Sequence, residues 1–276
     1  MPGQKSSVTR QFHAWRDILG VPVAVMTMRQ ALDVLVSSII AKRHTPVAFL
    51  NANNANLARE KPELKLAFNH FMTLPDGIGV DLASLVLHGA MFPENLNGTD
   101  LVPKLLLSLE EPVSVALIGA KPEVALMALE AFKTLCPRHA FSLIADGYFK
   151  PEDEPAILAR IEAARPDILL VAMGVPRQEL WIAEAITEKH CTVPIAVGAL
   201  FDIFTGSVPR APDWMLTLRV EWIYRLWREP RRLWRRYLIG NPVFLGSIIA
   251  AKLSGTSSAR GPSGADAAAL NGGAES

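Results

Sequence analysis

The sequence predicts an α/β fold: a Rossmann-like, mainly parallel sheet with helices on both faces, followed by a C-terminal helical appendage. Three observations predict it. Short, near-continuous apolar runs rich in β-branched residues recur from residue 21 to residue 198. Each run is followed by a helix-length stretch with apolar residues three and four apart. Strands that are apolar on both faces need cover on both sides, and helices between parallel strands supply it.

In chain order the expected strands are "VPVAVM" (21–26), "TPVAFL" (45–50), "HFMTLP" (70–75), "PVSVALIG" (112–119), "AFSLIA" (140–145), "DILLVAM" (167–173) and "VPIAVG" (193–198). Among the intervening helices, "KPEVALMALEAFKTLC" is the clearest. Pro122 suits a first helical turn, and Val124, Leu126, Met127, Leu129 and Phe132 are expected to bury one face. The α/β body is placed at 18–210, after a flexible N-terminus at 1–17. Three helical pieces follow at 211–253, jointed by Pro and Gly: "RAPDWMLTLRVEWIYRLWRE", "PRRLWRRYLIG" and "NPVFLGSIIAAKL". Residues 254–276 are mostly Gly, Ser and Ala, have little to bury, and are expected to be disordered.

Charge is unevenly spread. The 276 residues carry a formal net charge of only +1. Between Arg219 and Tyr237, however, seven arginines face two glutamates, while the rest of the chain holds 21 basic and 25 acidic residues. Such asymmetry points to an anionic partner for the basic segment. The two cysteines, Cys136 and Cys191, form no CxxC pair or metal-ligand spacing and read as buried, reduced thiols of a cytoplasmic protein. No signal peptide is evident, and neither "VPVAVM" nor "NPVFLGSIIAAKL" reaches the ~20 residues a bilayer span needs. The second could still lie on a membrane.

Ligands of open parallel sheets bind beyond the carboxyl ends of the strands, so the residues after each strand carry the functional expectation. These are "NANNAN" (51–56), "DGIGVD" (76–81), "GAKPE" (119–123), "DGYF" (146–149), "GVPRQE" (174–179) and "GALFD" (198–202). Asp76, between Pro75 and Gly77, is either a helix cap or a catalytic base. Asn51 and Asn53 either bind a polar substrate or end their strand. Gln178 and Glu179 open a helix, where Gln has no special merit as a cap. Gly119 and Lys121 head another helix start that could hold a phosphate. GxGxxG, GxxxxGK[ST], DxD, HExxH, GxSxG and Cys/His clusters are all absent, so neither a cofactor nor a metal is called for.

Arg225, Arg228, Arg231, Arg232, Arg235 and Arg236 alternate with Trp and Tyr. Trp222, Leu226 and Trp227 would let this segment pack as a core helix with a solvated basic face. Stacking plus phosphate contact would suit nucleic acid, but the acidic remainder offers no wider basic track, so no nucleic-acid partner is expected. An anionic membrane surface fits best: arginines draw the helix to lipid head groups while Trp and Tyr sit at the interface.

Several motifs, in order, resemble the WecG/TagA/CpsF family of bacterial glycosyltransferases. They are "LPDGIGVDLAS" (74–84), "NGTDLVPKLL" (97–106), "LIGAKPEVA" (117–125), "ADGYF" (145–149), "PDILLVAMGVPRQELWI" (166–182), "AVGALFDIFTGSVPRAPDWM" (196–215) and "EWIYRLWREPRRLWRRY" (221–237). The resemblance spans roughly 17–245 and looks nearest to the exopolysaccharide branch that includes the xanthan glucosyltransferase. It implies an inverting, metal-independent enzyme without cofactor. Such an enzyme moves a sugar from a UDP-sugar donor to a polyprenyl-diphosphate-linked acceptor, peripherally bound at the inner face of the plasma membrane. It also implies Asp76 as base, with Gly77 beside it. The family's Thr-x-Asn falls on Asn51 and Asn53, so the Thr is replaced. Its GxD Asp falls on Asp100, and an Arg common just before that motif is replaced by Asn95. The resemblance also implies Gln178 and Asp202 as substrate-binding residues, while Gly119, Lys121, Asp146 and Glu179 join the expected set by their place after the strands. The C-terminal arginines are expected to meet membrane or diphosphate, and self-association into a homo-oligomer is compatible with this reading. On the residues alone two other classes are alternatives: a nucleotide-cofactor-binding oxidoreductase, disfavoured by the missing GxGxxG, and a non-catalytic membrane-binding scaffold.

Overall fold

The computed structural model describes residues 14–208, 211–212, 214–215 and 220–255, apart from the side chain of Arg232. The tail expected to be disordered lies outside the described residues from 256 onward, as do residues 1–13 of the expected flexible N-terminus.

Six strands form one parallel sheet: β3 (Val47–Leu50), β4 (Met72–Pro75), β5 (Ser114–Gly119), β6 (Ala140–Ala145), β7 (Ile168–Ala172) and β8 (Val193–Ala196). Their order is β4-β3-β8-β7-β5-β6, with every pairing parallel. Register holds Leu50 beside Pro75, Val171 beside Ala196 and Gly119 beside Ala172, so these strand ends lie along one rim. The continuous apolar runs are explained by two-sided burial. Every residue of β3, β4, β7 and β8 is buried, and successive side chains alternate between two cores. Ala48, Leu50, Leu169 and Val171 belong to one core, Val47, Phe49, Ile168 and Leu170 to the other. The edge strand β6 alternates instead, with Ala140 and Ser142 exposed.

The first core is closed by α2 (Ala52–Glu60), α3 (Pro62–Ala67), α4 (Ile78–His88), α7 (Glu154–Ala164) and α8 (Arg177–Ala185). The second is closed by α1 (Met28–Ile40), α5 (Gly98–Ser108), α6 (Pro122–Leu135) and α9 (Leu200–Phe204). On α6 the buried face differs from the expectation. Ala125, Ala128 and Phe132 are buried, with Val124 and Leu129 beside them, while Leu126 and Met127 are 56% and 52% exposed. Small alanines let the helix sit close to the sheet, and this turns the larger residues outward.

"VPVAVM" is the second departure. It is not a strand of the parallel sheet. β2 (Val21–Ala24) pairs antiparallel with β1 (Trp15–Ile18), which begins within the segment expected to be loose. Leu19 and Gly20 link them, both with positive φ (54° and 88°), the backbone that a two-residue hairpin turn requires. Arg16 fastens the hairpin by donating from Nη1 to Ser84 Oγ at 2.7 Å and to the carbonyls of Ala90 and Met91 at 2.8 and 2.9 Å.

The C-terminal segment holds α10 (Glu221–Arg228), α11 (Pro230–Trp234), a π-helical turn at Arg235–Ile239 and α12 (Gly240–Leu253). α12 lies against α2 and α4. Phe244 and Ile248 are each 1% exposed and join the first core, and Asn56 Nδ2 donates to the Gly240 carbonyl at 2.7 Å. The opposite side of α12 leaves Val243, Leu245, Ile249 and Leu253 exposed. No helix among the described residues is long and apolar enough to cross a membrane.

Candidate active site

A cleft of about 780 Å³ opens beyond the carboxyl ends of β3, β4, β7 and β8. One wall is made by the loops leaving those strands, the other by the C-terminal helices. Asp76 lies where the two walls meet. Its backbone N–H donates to Leu50 O at 2.9 Å, which prolongs the sheet by one residue and aims the next turn into the cleft. Gly77 follows with φ of 89° and is itself the N-cap of α4, without any side-chain cap bond. The helix-cap alternative for Asp76 is therefore not what the carboxylate does. Instead Oδ2 accepts from Asn51 Nδ2 at 3.2 Å.

Burial holds the Asp76 pKa above its ordinary value. The Asn51 hydrogen bond works against that rise, as do the positive charges of Arg225 and Arg236, while Glu221 adds to it. A half-buried carboxylate of raised basicity, with a neutral donor fixing one oxygen, is suited to accept a proton on the other.

Asn51 has a second duty. Its Oδ1 accepts from Asn54 N at 3.0 Å and caps α2, so one side chain ties the start of a helix to the orientation of Asp76. Asn53 lines the cleft two residues further on. Asn95 Oδ1 accepts from Gly77 N at 2.7 Å and props the Asp76 loop from the far side. Asn97 caps α5, taking Asp100 N at 2.9 Å and donating to Asp100 Oδ2 at 2.8 Å; both line the cleft.

Gln178 and Glu179 also line it but are buried, 2% and 1% exposed. Gln178 Oε1 accepts from Gly174 N and from Gly198 N, each at 3.1 Å, and so joins the loops after β7 and β8. Its Nε2 donates to Glu179 Oε1 at 2.9 Å. Among the described residues Glu179 Oε2 has no hydrogen-bond partner, and burial pushes this carboxyl up to about 7.

Four expected residues lie elsewhere. Gly119, Lys121, Asp146 and Asp202 do not line the cleft. Gly119 has φ of 122°, and a Cβ there would stand 2.3 Å from the Ala172 carbonyl oxygen, so strand packing accounts for the glycine. Lys121 precedes α6 as its N-cap. Asp146 takes Tyr148 N at 2.7 Å in the turn after β6 and faces a separate depression with Lys150 and Arg160. Asp202 sits in the first turn of α9.

The C-terminal wall sorts the arginines. Arg225 and Arg236 line the cleft; Arg228, Arg231 and Arg235 do not. Arg235 lies over the Trp234 ring at 5.3 Å. The side chain of Arg232 is outside the described residues. Glu221, Trp222 and Tyr237 also line this wall, a place the sequence did not give them. The last two meet with ring centroids 5.6 Å apart and planes tilted by 46°. The four-residue spacing of Glu221 and Arg225 was the available signal for the first. Among the described residues, no three His, Cys, Asp or Glu side chains are grouped so as to hold a metal ion.

The cleft thus joins one basic carboxylate, a rim of amides and backbone N–H groups, two arginines and an aromatic pair. Such a set can take a proton, bind hydroxyls and neutralise a phosphate group. Against known proteins, the model of the glycosyl transferase WecG/TagA/CpsF family matches residues 16–258, which include both walls of the cleft.

Proposed function

Because the chain belongs to the WecG/TagA/CpsF family of glycosyltransferases, we propose that it transfers a sugar, with inversion and without a metal, from a UDP-sugar to a polyprenyl-diphosphate-linked acceptor in exopolysaccharide or cell-envelope glycan synthesis. The observation that carries this reading is the Asp76 carboxylate, fixed by Asn51 and faced across one cleft by Arg225 and Arg236.

In the proposed reaction an acceptor hydroxyl attacks the anomeric carbon of the donor sugar. Asp76 takes the hydroxyl proton as the new C–O bond forms. The bond from the anomeric carbon to the β-phosphate oxygen breaks, and its electron pair leaves with UDP. Negative charge grows on the departing diphosphate, and Arg225 and Arg236 are the cations placed to meet it. Asn53, Asn95 and Asp100 are offered as hydrogen-bonding partners of substrate hydroxyls. Gln178 fixes the spacing of the Gly174 and Gly198 loops.

The proposed site of action is the inner face of the plasma membrane. Arg228, Arg231 and Arg235 do not line the cleft, and neither do Trp227, Trp234 and Ile239, exposed residues of the same segment. Exposed basic and aromatic side chains in one segment suit an anionic interface.

UDP release is to be measured over a panel of UDP-sugars with a polyprenyl-diphosphate-linked acceptor. Asp76→Asn is expected to lower turnover by about 10²–10⁴-fold with UDP binding retained; undiminished turnover refutes the assignment of the base. Sedimentation with anionic vesicles tests the surface. Replacing Arg228, Arg231 and Arg235 together by Glu removes about 1 kcal/mol of attraction per arginine, and unchanged pelleting overturns the membrane reading.

A further inference from the structure

A second carboxylate stands in the cleft, and its role rests on the transferase reading above. Glu221 and Arg225 are one helical turn apart on α10. Glu221 Oε1 accepts from Arg225 Nε at 2.9 Å and from Nη2 at 2.7 Å. Both side chains are 26% exposed, and both line the cleft with Asp76. The pair occupies one edge of the guanidinium. Among the described residues nothing else hydrogen-bonds to it, so Nη1 keeps its donors. No residue of α10 is fully buried, so packing alone does not fix this long side chain. An anion beside a cation meant for phosphate would weaken the site unless it organises that cation.

We propose that Glu221 is a positioning residue of the transfer reaction: it holds Arg225 by one edge beside Asp76, leaving the other edge free to take a phosphate group of a substrate diphosphate. The arrangement follows from the rigid fork of arginine, whose two edges can serve two different acceptors at once. It also assigns Glu221 an electrostatic effect, since its charge adds to the raised pKa of Asp76. Donor and acceptor both carry a diphosphate, and the clamp suits either.

The test compares wild type with Glu221→Gln, Glu221→Asp and Arg225→Lys. Calorimetric titration with UDP and with inorganic pyrophosphate is expected to show roughly tenfold weaker binding for Glu221→Gln and Arg225→Lys. Glu221→Asp is expected to recover most of it. The acid limb of kcat/KM should move to lower pH in Glu221→Gln, because a negative charge near Asp76 is gone; a merely structural role would not move it. If UDP and pyrophosphate bind as in wild type while the acceptor KM rises about tenfold, the clamp serves the acceptor. Unchanged binding, acceptor KM and pH profile together overturn the proposal. Should Glu221→Gln lose its fold, Arg225→Lys keeps the charge, gives up the fork and reads the same site. If wild type transfers no sugar from any donor, the transferase reading falls, and the pyrophosphate titration alone then decides the clamp.

Discussion

Phe244→Ala is the sharpest test of how the C-terminal segment belongs to this protein. A surface appendage would let the substitution pass with an effect within about 0.5 kcal/mol. In the structure, however, Phe244 is 1% exposed and sits in the first core between α2 and α4. Its ring lies 3.8 Å from where a Cβ on Gly79 would stand, at the first turn of α4 after Asp76. Removing a fully buried phenylalanine costs about 3–5 kcal/mol. The lower end applies here, because Phe244 also borders the cleft and the space it leaves can fill with water. About 3 kcal/mol corresponds to a melting temperature lower by roughly 6–12 °C for a chain of this size. Urea denaturation with an unchanged m-value is the assay. Val243→Ala, one residue away and 48% exposed, is the control and should stay near wild type. Equal, small effects for the two would show that α12 is not part of the core. The Arg236 and Tyr237 wall would then lose its anchor.

Two further outcomes follow from the cleft. Asn51→Ser keeps a good cap on α2 and removes the donor to Asp76, so stability should hold within about 0.5 kcal/mol while the acid limb of kcat/KM moves to higher pH. A limb that stays put or moves down refutes the orienting role of Asn51. Glu179→Gln tests the buried acid. Its carboxyl is raised from 4.5 to about 7 on folding, so its contribution is complete below about pH 4.5 and is lost as pH rises to about 7. At 1.36 kcal/mol per unit, wild type should lose on the order of 3 kcal/mol relative to the variant across that window. Parallel stability curves at pH 5 and pH 8 would contradict it.

Asp76 was legible in the sequence because a strand that ends in Pro-Asp-Gly presents its side chain at the binding rim of a parallel sheet. The same rule placed Asn51, Asn53, Gln178 and Glu179, which the structure brings to one cleft. It also nominated Gly119, Lys121 and Asp146, and these lie at the β5-β6 end of the sheet, away from that cleft. Chain order names the loops of a rim but does not say which loops are neighbours. Gly119 looked like a phosphate-loop glycine; the Ala172 carbonyl that excludes a Cβ there is 53 residues away in the chain. The strand at 21–26 was recognised and its partner was not, since pairing with residues 15–18 leaves the same local apolar signature as joining the sheet.

Apolar periodicity is a property of consecutive residues, so the amino-acid order alone was enough to specify strands, helices, their alternation and hence a two-sided parallel sheet. It also specified that a basic, aromatic segment follows. Which arginines of that segment turn inward depended on where α10 and α12 settle, and α12 settles where Phe244 and Ile248 find the core between α2 and α4. That choice is made by side chains nearly 200 residues apart in the chain. Only the packed molecule therefore sets Arg225 and Arg236 opposite Asp76 and leaves Arg228, Arg231 and Arg235 outside.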